Sequence, residues 1–291
     1  MSYYQALGFE KEPFSTSPDP DFFYLSREHE IALTNILIEV RLKRGLSVIL
    51  GDVGTGKTTL SRKLIQELKG RNDFIFHMVL DPSFDDERLF LSSLIRNFGI
   101  PVENIREATT LDLRDALERY LFQKGVSELK TVVLIVDEAQ KLTGMSLEIL
   151  RVLLNYETNE YKLLQLVLLG QIELHEKILS IPNFFDRISF KYTLNPFTLE
   201  ETKEMIEFRI RQAGYQSRMH LFLKEAVKEI HEATQGYPRR ITMLCHKALK
   251  ELILRNQSVV DETLITDIVK AEIQSGWHTN TKNPLLLKNS F

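Results

Sequence analysis

The chain has 291 residues, of which 43% are apolar and 26% charged, a composition typical of a globular protein with one or two domains. Its formal net charge of −3 gives no overall basic field that would attract nucleic acid or anionic lipid. The single cysteine, Cys245, excludes an internal disulfide and suits a reducing compartment. The chain shows neither a signal-peptide pattern nor an apolar run of membrane-span length. We therefore expect a cytoplasmic protein that does not insert directly into a membrane.

The first thirty residues are rich in aromatic residues, proline and aspartate. They are too apolar for a disordered tail and too interrupted for a helix, so we expect an ordered strap. Apolar residues at helical spacing follow over Arg27–Arg44, which predicts a helix leading into the first strand. Residues 1–44 are together predicted to pack on the core that follows.

Residues 45–196 alternate short apolar runs with amphipathic segments. The runs predict five strands, the last at an edge, at 47–50, 74–80, 131–136, 163–169 and 190–194. Helices are predicted between them at 59–68, 85–98, 111–124 and 146–156. Such alternation predicts the α/β class, with a parallel sheet and right-handed crossovers.

From Thr198 onward the pattern becomes purely helical. Four amphipathic segments, at 200–213, 222–234, 239–255 and 261–275, predict an all-helical lid domain over 197–275. Asn195-Pro196-Phe197 is the natural hinge between the two domains. Residues 276–291 are polar apart from a short leucine run, and we expect a flexible tail.

One octapeptide carries the strongest functional signal. It fits the pattern G-x-x-x-x-G-K-[ST] and reads Gly51-Asp52-Val53-Gly54-Thr55-Gly56-Lys57-Thr58. A strand is predicted before it and a helix beginning at Thr59 after it, as a phosphate-binding loop requires. The glycines allow the backbone to fold around a phosphate, with N–H groups and a helix N-terminus facing the anion. Lys57 would reach the β- and γ-phosphates, and the Thr58 hydroxyl would hold Mg²⁺. This context disfavours a merely structural glycine turn.

An acidic pair, Asp137-Glu138, ends the most buried predicted strand, where ligands bind in open α/β sheets. Asp137 is predicted to hold Mg²⁺ and Glu138 to polarise the attacking water. A helix N-cap is the alternative role for such a pair. Gln140 is a candidate to orient the glutamate.

Two further polar residues lie near other strand ends. Gln171 follows the next central strand and would lie beside the γ-phosphate, unless it only caps the following helix. Arg187 precedes the last strand, at the rim of the sheet, where it could enter a neighbouring subunit's nucleotide site. A salt bridge is the alternative for Arg187.

Gly236-Tyr237-Pro238-Arg239-Arg240 opens the third helix of the lid. Proline is tolerated in a first helical turn, so Arg239 begins the helix and could reach back to the γ-phosphate. The role of Arg240 stays open, since a solvated arginine explains it equally well.

With these motifs, the chain resembles the AAA+ ATPases, and within them the ExeA/GspA family of secretion-associated ATPases. The resemblance covers nearly the whole chain and rests on Gly8-Phe9, Lys11–Ser15, Pro18–Leu25, Gly51–Thr58, Asp137–Gln140, Leu166–Gln171, Arg187-Ile188 and Gly236–Ile241. It implies ATP and Mg²⁺ as ligands, with Gln171 as sensor 1, Arg187 as the arginine finger and Arg239 as sensor 2. It also implies a homo-oligomer, a ring or filament, whose active sites are shared between subunits.

Longer members of that family continue into a membrane span and a peptidoglycan-binding module, and we expect this chain to correspond to the shorter, soluble members. The leading hypothesis is a Mg²⁺-dependent ATPase that oligomerises on ATP to assemble or remodel a secretion or pilus apparatus. A second hypothesis is an ATP-dependent DNA-binding regulator of a mobile element, similar to TnsC, TniB or IstB, for which the basic cluster Arg41, Lys43 and Arg44 is a candidate. A third is a nucleotide-binding switch with almost no turnover, which the intact Glu138 disfavours.

Overall fold

A computed structural model of the chain describes residues 2–17, 19–216 and 220–275. The predicted tail, 276–291, lies outside the described residues. The chain divides into two compact units. The sheet unit comprises the described residues of 18–195, and the helical unit combines residues 2–17 with those from Pro196 onward.

The sheet unit contains one five-stranded sheet in which every pair of neighbours is parallel, as predicted. Its strands are β1 (Leu46–Gly51), β2 (Phe74–Val79), β3 (Thr131–Val136), β4 (Leu164–Gly170) and β5 (Ile188–Leu194). Their order is β2-β3-β4-β1-β5, which confirms β5 as an edge strand. Every residue of β3 and β4 is buried, because helices cover both faces of the sheet.

Eleven α-helices lie within the described part of the chain. In chain order they are α1 (Tyr3–Ala6), α2 (Arg27–Arg41), α3 (Lys57–Leu68), α4 (Glu87–Phe98), α5 (Thr110–Phe122), α6 (Gly144–Leu153), α7 (Glu173–Leu179), α8 (Leu199–Gln212), α9 (Lys224–Thr234), α10 (Pro238–Leu254) and α11 (Glu262–Gln274). None of these helices is both long enough and apolar enough to cross a membrane.

Capping side chains set several helix starts one or two residues from their predicted positions. The Thr143 hydroxyl accepts a hydrogen bond from Ser146 N, so α6 begins at Gly144 rather than at Ser146. Asp86 likewise caps α4 by accepting from Leu89 N. A capping oxygen satisfies one of the amide groups that a helix start leaves unpaired, and so fixes the first turn.

Two apolar layers hold the sheet between its helices. On one face, residues of α2 and α3 such as Ile36 and Leu64 pack with Val133 of β3. On the other face, residues of α4 and α6 such as Leu94 and Leu150 pack with Leu134. Alternate residues of each strand point to opposite faces, so one apolar strand serves both layers.

The N-terminal segment differs from the prediction that residues 1–44 pack together on the sheet core. Residues 2–17 belong to the helical unit, and only the rest of the segment belongs to the sheet unit. The Phe9 ring stacks on Tyr215 at 5.0 Å, and Glu10 N donates to Ala213 O at 2.8 Å. A second difference is the single helical turn α1, in a region predicted to contain no helix. The aromatic residues of this segment require burial, as predicted. The surface that buries Phe9, however, belongs to the helical unit.

Candidate active site

The predicted phosphate loop, Asp137 and Gln171 all lie at the carboxyl edge of the sheet. The loop follows β1, Asp137 follows β3, and Gln171 follows β4. Strand β4 pairs with both β1 and β3, with Leu50 opposite Gly170 and Val136 opposite Leu168. Three segments distant in sequence therefore meet at one edge, the usual position of ligands in open α/β sheets.

The loop itself is a tight turn that depends on its glycines. Gly54 and Gly56 have φ of 87° and 97°, in the left-handed region that favours glycine. A Cβ at Gly51 would lie 2.7 Å from Thr55 Oγ1. That hydroxyl donates to Asp52 O at 2.9 Å across the turn. Of the remaining predicted loop residues, Val53 is exposed and Thr58 and Thr59 lie in the first turn of α3.

A buried histidine, which sequence reasoning missed, supports the loop from helix α2. The exposed fraction of His29 is 1%, and its Nε2 lies 2.8 Å from Thr55 O. A carbonyl oxygen only accepts, so Nε2 carries the proton and donates; Nδ1 then accepts from the Ser26 hydroxyl, 2.7 Å away. The available signal was a serine placed to cap a predicted helix, with a histidine three residues later.

Lys57 is buried, with an exposed fraction of 6%, and its ammonium group closes the loop. Nζ donates to Gly51 O at 2.7 Å and to Asp52 O at 2.9 Å. Burial lowers the pKa of Lys57, and the opposing effect of nearby carboxylates, led by Glu138 and Asp137, is smaller. The carboxylates that act on this ammonium group leave negative charge at the site, which would favour binding of a polyphosphate together with a cation.

Thr58 and Asp137 supply two oxygen ligands of the kind that Mg²⁺ prefers. Thr58 Oγ1 donates to Asp137 Oδ2 at 2.6 Å, and the exposed fraction of Asp137 is 2%. Among the described residues no cluster of three or more His, Cys, Asp or Glu side chains could hold a metal ion. Mg²⁺ commonly takes one or two protein oxygens and completes its shell with phosphates and water, so these residues fit it.

Glu138 has a left-handed backbone, with φ 51° and ψ 36°, which is uncommon for a residue with a side chain and recurs at functional sites. Its carboxylate accepts a hydrogen bond from Gln140 Nε2 at 2.7 Å. The helix-cap alternative for the acidic pair is not the arrangement found. The Glu138 side chain makes no capping bond, and Asp137 Oδ1 accepts from the adjacent Glu138 N at 2.9 Å.

Gln171 adjoins these residues but does not cap the following helix with its side chain. Its backbone N donates to Gln140 Oε1 at 3.0 Å. The structure thus brings Lys57, Thr58, Asp137, Glu138 and Gln171 to the same edge of the sheet.

Arg187 lies at the amino-terminal end of the strands, opposite the phosphate loop, and immediately precedes β5. Along β5, Ile188 is opposite Leu46 and Leu194 is opposite Gly51, so the strand separates Arg187 from the chain's own loop by about 20 Å. Its Nε is buried without a hydrogen-bond partner among the described residues. The pKa of Glu148 is lowered mainly by Arg151, which binds the Glu148 carboxylate at 2.6 Å, and to a smaller extent by the charge of Arg187.

Arg239 is exposed in the first turn of α10, in the helical unit. The turn before it is held by Gly236, whose carbonyl accepts from Phe197 N at 2.8 Å. A Cβ at Gly236 would lie 2.1 Å from Phe197 O. The adjacent Arg240 is exposed, and its guanidinium lies over the Tyr237 ring at 4.7 Å.

Comparison with known proteins agrees with the predicted nucleotide-binding fold. Residues 40–178 match the AAA domain family. The chain is 35% identical, over 249 residues, to general secretion pathway protein A of Aeromonas hydrophila. That match covers 85% of this chain and 44% of the relative, so the chain spans less than half the length of that protein.

Solved structures with the same fold include two proteins of Aeropyrum pernix. The ORC2 protein, solved in ADPNP and ADP complexes, has a TM-score of 0.61 at 20% identity, with 84% of this chain and 66% of that chain covered. The ORC1 protein in complex with DNA has a TM-score of 0.64 at 17% identity, with 90% and 69% covered. At this identity the likeness concerns the fold.

Proposed function

Because the chain belongs to the AAA+ ATPases related to general secretion pathway protein A, we propose that it binds and hydrolyses ATP with Mg²⁺. The observation that carries the proposal is the hydrogen bond of 2.6 Å between Thr58 and Asp137 beside a glycine-rich loop closed by Lys57. Two motifs, 79 residues apart in sequence, thus meet where a phosphate and its cation would lie.

Each group then has a defined task. The loop amides and Lys57 bind the phosphates, and Thr58 and Asp137 hold Mg²⁺, which neutralises charge on the phosphates when bound. Glu138 accepts the proton of the attacking water. Gln171, at the end of β4, contacts the γ-phosphate or that water. The sensor role expected of Arg239 stays a prediction.

Substitutions at two of these residues test the chemistry. Lys57→Ala should abolish ATP binding, whereas Glu138→Gln should retain binding and lose hydrolysis by at least about 100-fold, the usual contribution of a general base. Glu103→Gln, an exposed carboxylate of the same unit, is the matched control. ATP turnover and binding of a fluorescent analogue are measured for each variant, and full turnover by Glu138→Gln would refute the assignment.

We further propose that the active site is completed by a second copy of the chain. Arg187 lies about 20 Å from its own loop, beyond the reach of an arginine side chain, so it can act only on a neighbour's nucleotide. Arg187→Ala and Lys57→Ala should each be inactive alone. Their mixture should recover activity, because one chain supplies the loop and the other the arginine. A mixture as inactive as its components would contradict a shared site.

The proposed client is a component of a secretion or pilus apparatus, on the strength of the similarity to general secretion pathway protein A. Light scattering with ADP and with a slowly hydrolysed ATP analogue, each with and without duplex DNA, tests this proposal. We expect the chain to assemble with the ATP analogue in the absence of DNA, and not with ADP.

Assembly only with DNA would favour the DNA-binding regulator instead. The basic cluster offers limited support for that alternative, since Lys43 lies over the Tyr161 ring at 3.9 Å and is partly buried.

A further inference from the structure

Gln140, the sequence candidate to orient Glu138, also links the acidic pair to the end of strand β4. We propose that Gln140 is a positioning residue that fixes the Glu138 carboxylate relative to Gln171 during ATP hydrolysis. The inference rests on the proposed hydrolytic function and names a further residue on which that function depends.

Chemistry fixes the orientation of the Gln140 amide. Gln171 N can only donate, so the Gln140 atom that lies 3.0 Å from it is the carbonyl oxygen. The amide nitrogen therefore faces Glu138 Oε2, at 2.7 Å. The carboxylate oxygen accepts this hydrogen bond, so the contact holds the Glu138 carboxylate in one orientation beside Gln140.

The backbone of Gln140 is held as firmly as its side chain. It lies in a short 3₁₀ turn, Ala139–Lys141, in which Ala139 is fully buried. Lys177 of helix α7 donates through Nζ to Gln140 O and, at 3.1 Å, to Leu142 O. The turn is thus attached to the helix that follows β4.

A glycine allows this close approach. A Cβ at Gly170, the last residue of β4, would lie 3.2 Å from Gln140 N and 2.7 Å from Leu174 Cδ2. With no side chain at position 170, the turn packs directly on the strand end, and Gln140 reaches both Glu138 and Gln171. Movement of the β4 end would therefore be transmitted to the catalytic carboxylate through one side chain.

Two substitutions separate this role from a packing role. Gln140→Leu preserves the size of the side chain and removes both hydrogen bonds. A hydrogen bond to a charged group contributes enough for its loss to lower kcat by about 10- to 100-fold. The affinity for a fluorescent ATP analogue should stay within about twofold, because Gln140 does not contact the phosphate loop.

Gln140→Glu gives a readout that packing would not affect. Its outer oxygen would still accept from Gln171 N, while its inner oxygen would face Glu138. Two carboxylates at that distance repel, so Gln140→Glu should lower kcat at least as much as Gln140→Leu, although it keeps the size of the side chain and the bond to Gln171 N.

The experiment measures kcat for the wild-type chain, both Gln140 variants and Gln66→Glu, which adds the same charge at an exposed site. Thermal unfolding and analogue binding establish that each variant is folded. Reduced kcat in both Gln140 variants, with unchanged affinity for the analogue and a normal kcat in Gln66→Glu, would support the inference. Normal kcat in either Gln140 variant would overturn the inference and leave the proposed function intact. A wild-type chain without turnover would overturn the proposed function as well.

Discussion

Replacing Gly56 with alanine tests how the phosphate loop is supported. Gly56 has φ of 97°, and a Cβ there would lie 2.9 Å from His29 Nε2. The ring cannot move freely, because Ser26 binds one of its nitrogens and Thr55 O binds the other. The substitution must therefore displace a buried side chain that is held at both ends.

Two effects of Gly56→Ala should lower the free energy of unfolding. A left-handed φ costs a residue with a side chain about 1 kcal/mol, and the two hydrogen bonds of His29 contribute about 1 kcal/mol each. Gly56→Ala should therefore lower the free energy of unfolding by about 3 kcal/mol. Gly70 is a matched control, since its φ is 93° and nothing lies within 4 Å of an added Cβ. Gly70→Ala should show the first effect alone, about 1 kcal/mol.

Urea unfolding followed by circular dichroism measures both variants, each also in a His29→Ala background. Without the imidazole ring the added Cβ has room, so Gly56→Ala should then cost no more than Gly70→Ala. Equal destabilisation by the two alanines in the wild-type background would refute the reasoning. So would an unchanged cost of Gly56→Ala when His29 is absent.

Two further predictions concern other buried positions. Gly236→Ala should destabilise the helical unit by at least about 3 kcal/mol, because φ is 74° and the added Cβ would lie 2.1 Å from Phe197 O. Urea unfolding measures this change, and a stability close to wild type would contradict the described turn. Burial lowers the pKa of His77, so below about pH 6.5 the unfolded chain binds a proton that the folded chain does not. Stability should therefore fall as pH falls, by up to about 1.4 kcal/mol per pH unit, and His77→Gln should show a shallower decline in urea unfolding at a series of pH values.

The sequence predicts best those features that are local. Each strand is visible as an apolar run, and the phosphate loop and acidic pair are contiguous motifs with fixed neighbours. The order of the strands is not local, since β1 lies between β4 and β5 although both follow it in sequence. Which surface buries Phe9 is equally invisible, because an aromatic side chain indicates burial without indicating its partner.

Single polar residues are the hardest to interpret from sequence. Ser26 and His29 look like an ordinary helix start until Thr55 is placed beside them. Gln140 was a candidate to orient Glu138, but its second hydrogen bond, to Gln171 N, joins residues 31 positions apart. Such contacts depend on the packing of whole elements, which short sequence patterns do not encode.

The left-handed backbone of Glu138 implies a compromise between thermal stability and the proposed activity. With φ at 51°, glycine is the residue that would adopt this conformation at no steric cost. A chain optimised for thermal stability alone would carry glycine there and gain about 1 kcal/mol, whereas the proposed general base requires the carboxylate. If the proposed function holds, stabilisation of this protein by design must leave position 138 unchanged, because the residue that fits the backbone best, glycine, would remove the proposed general base.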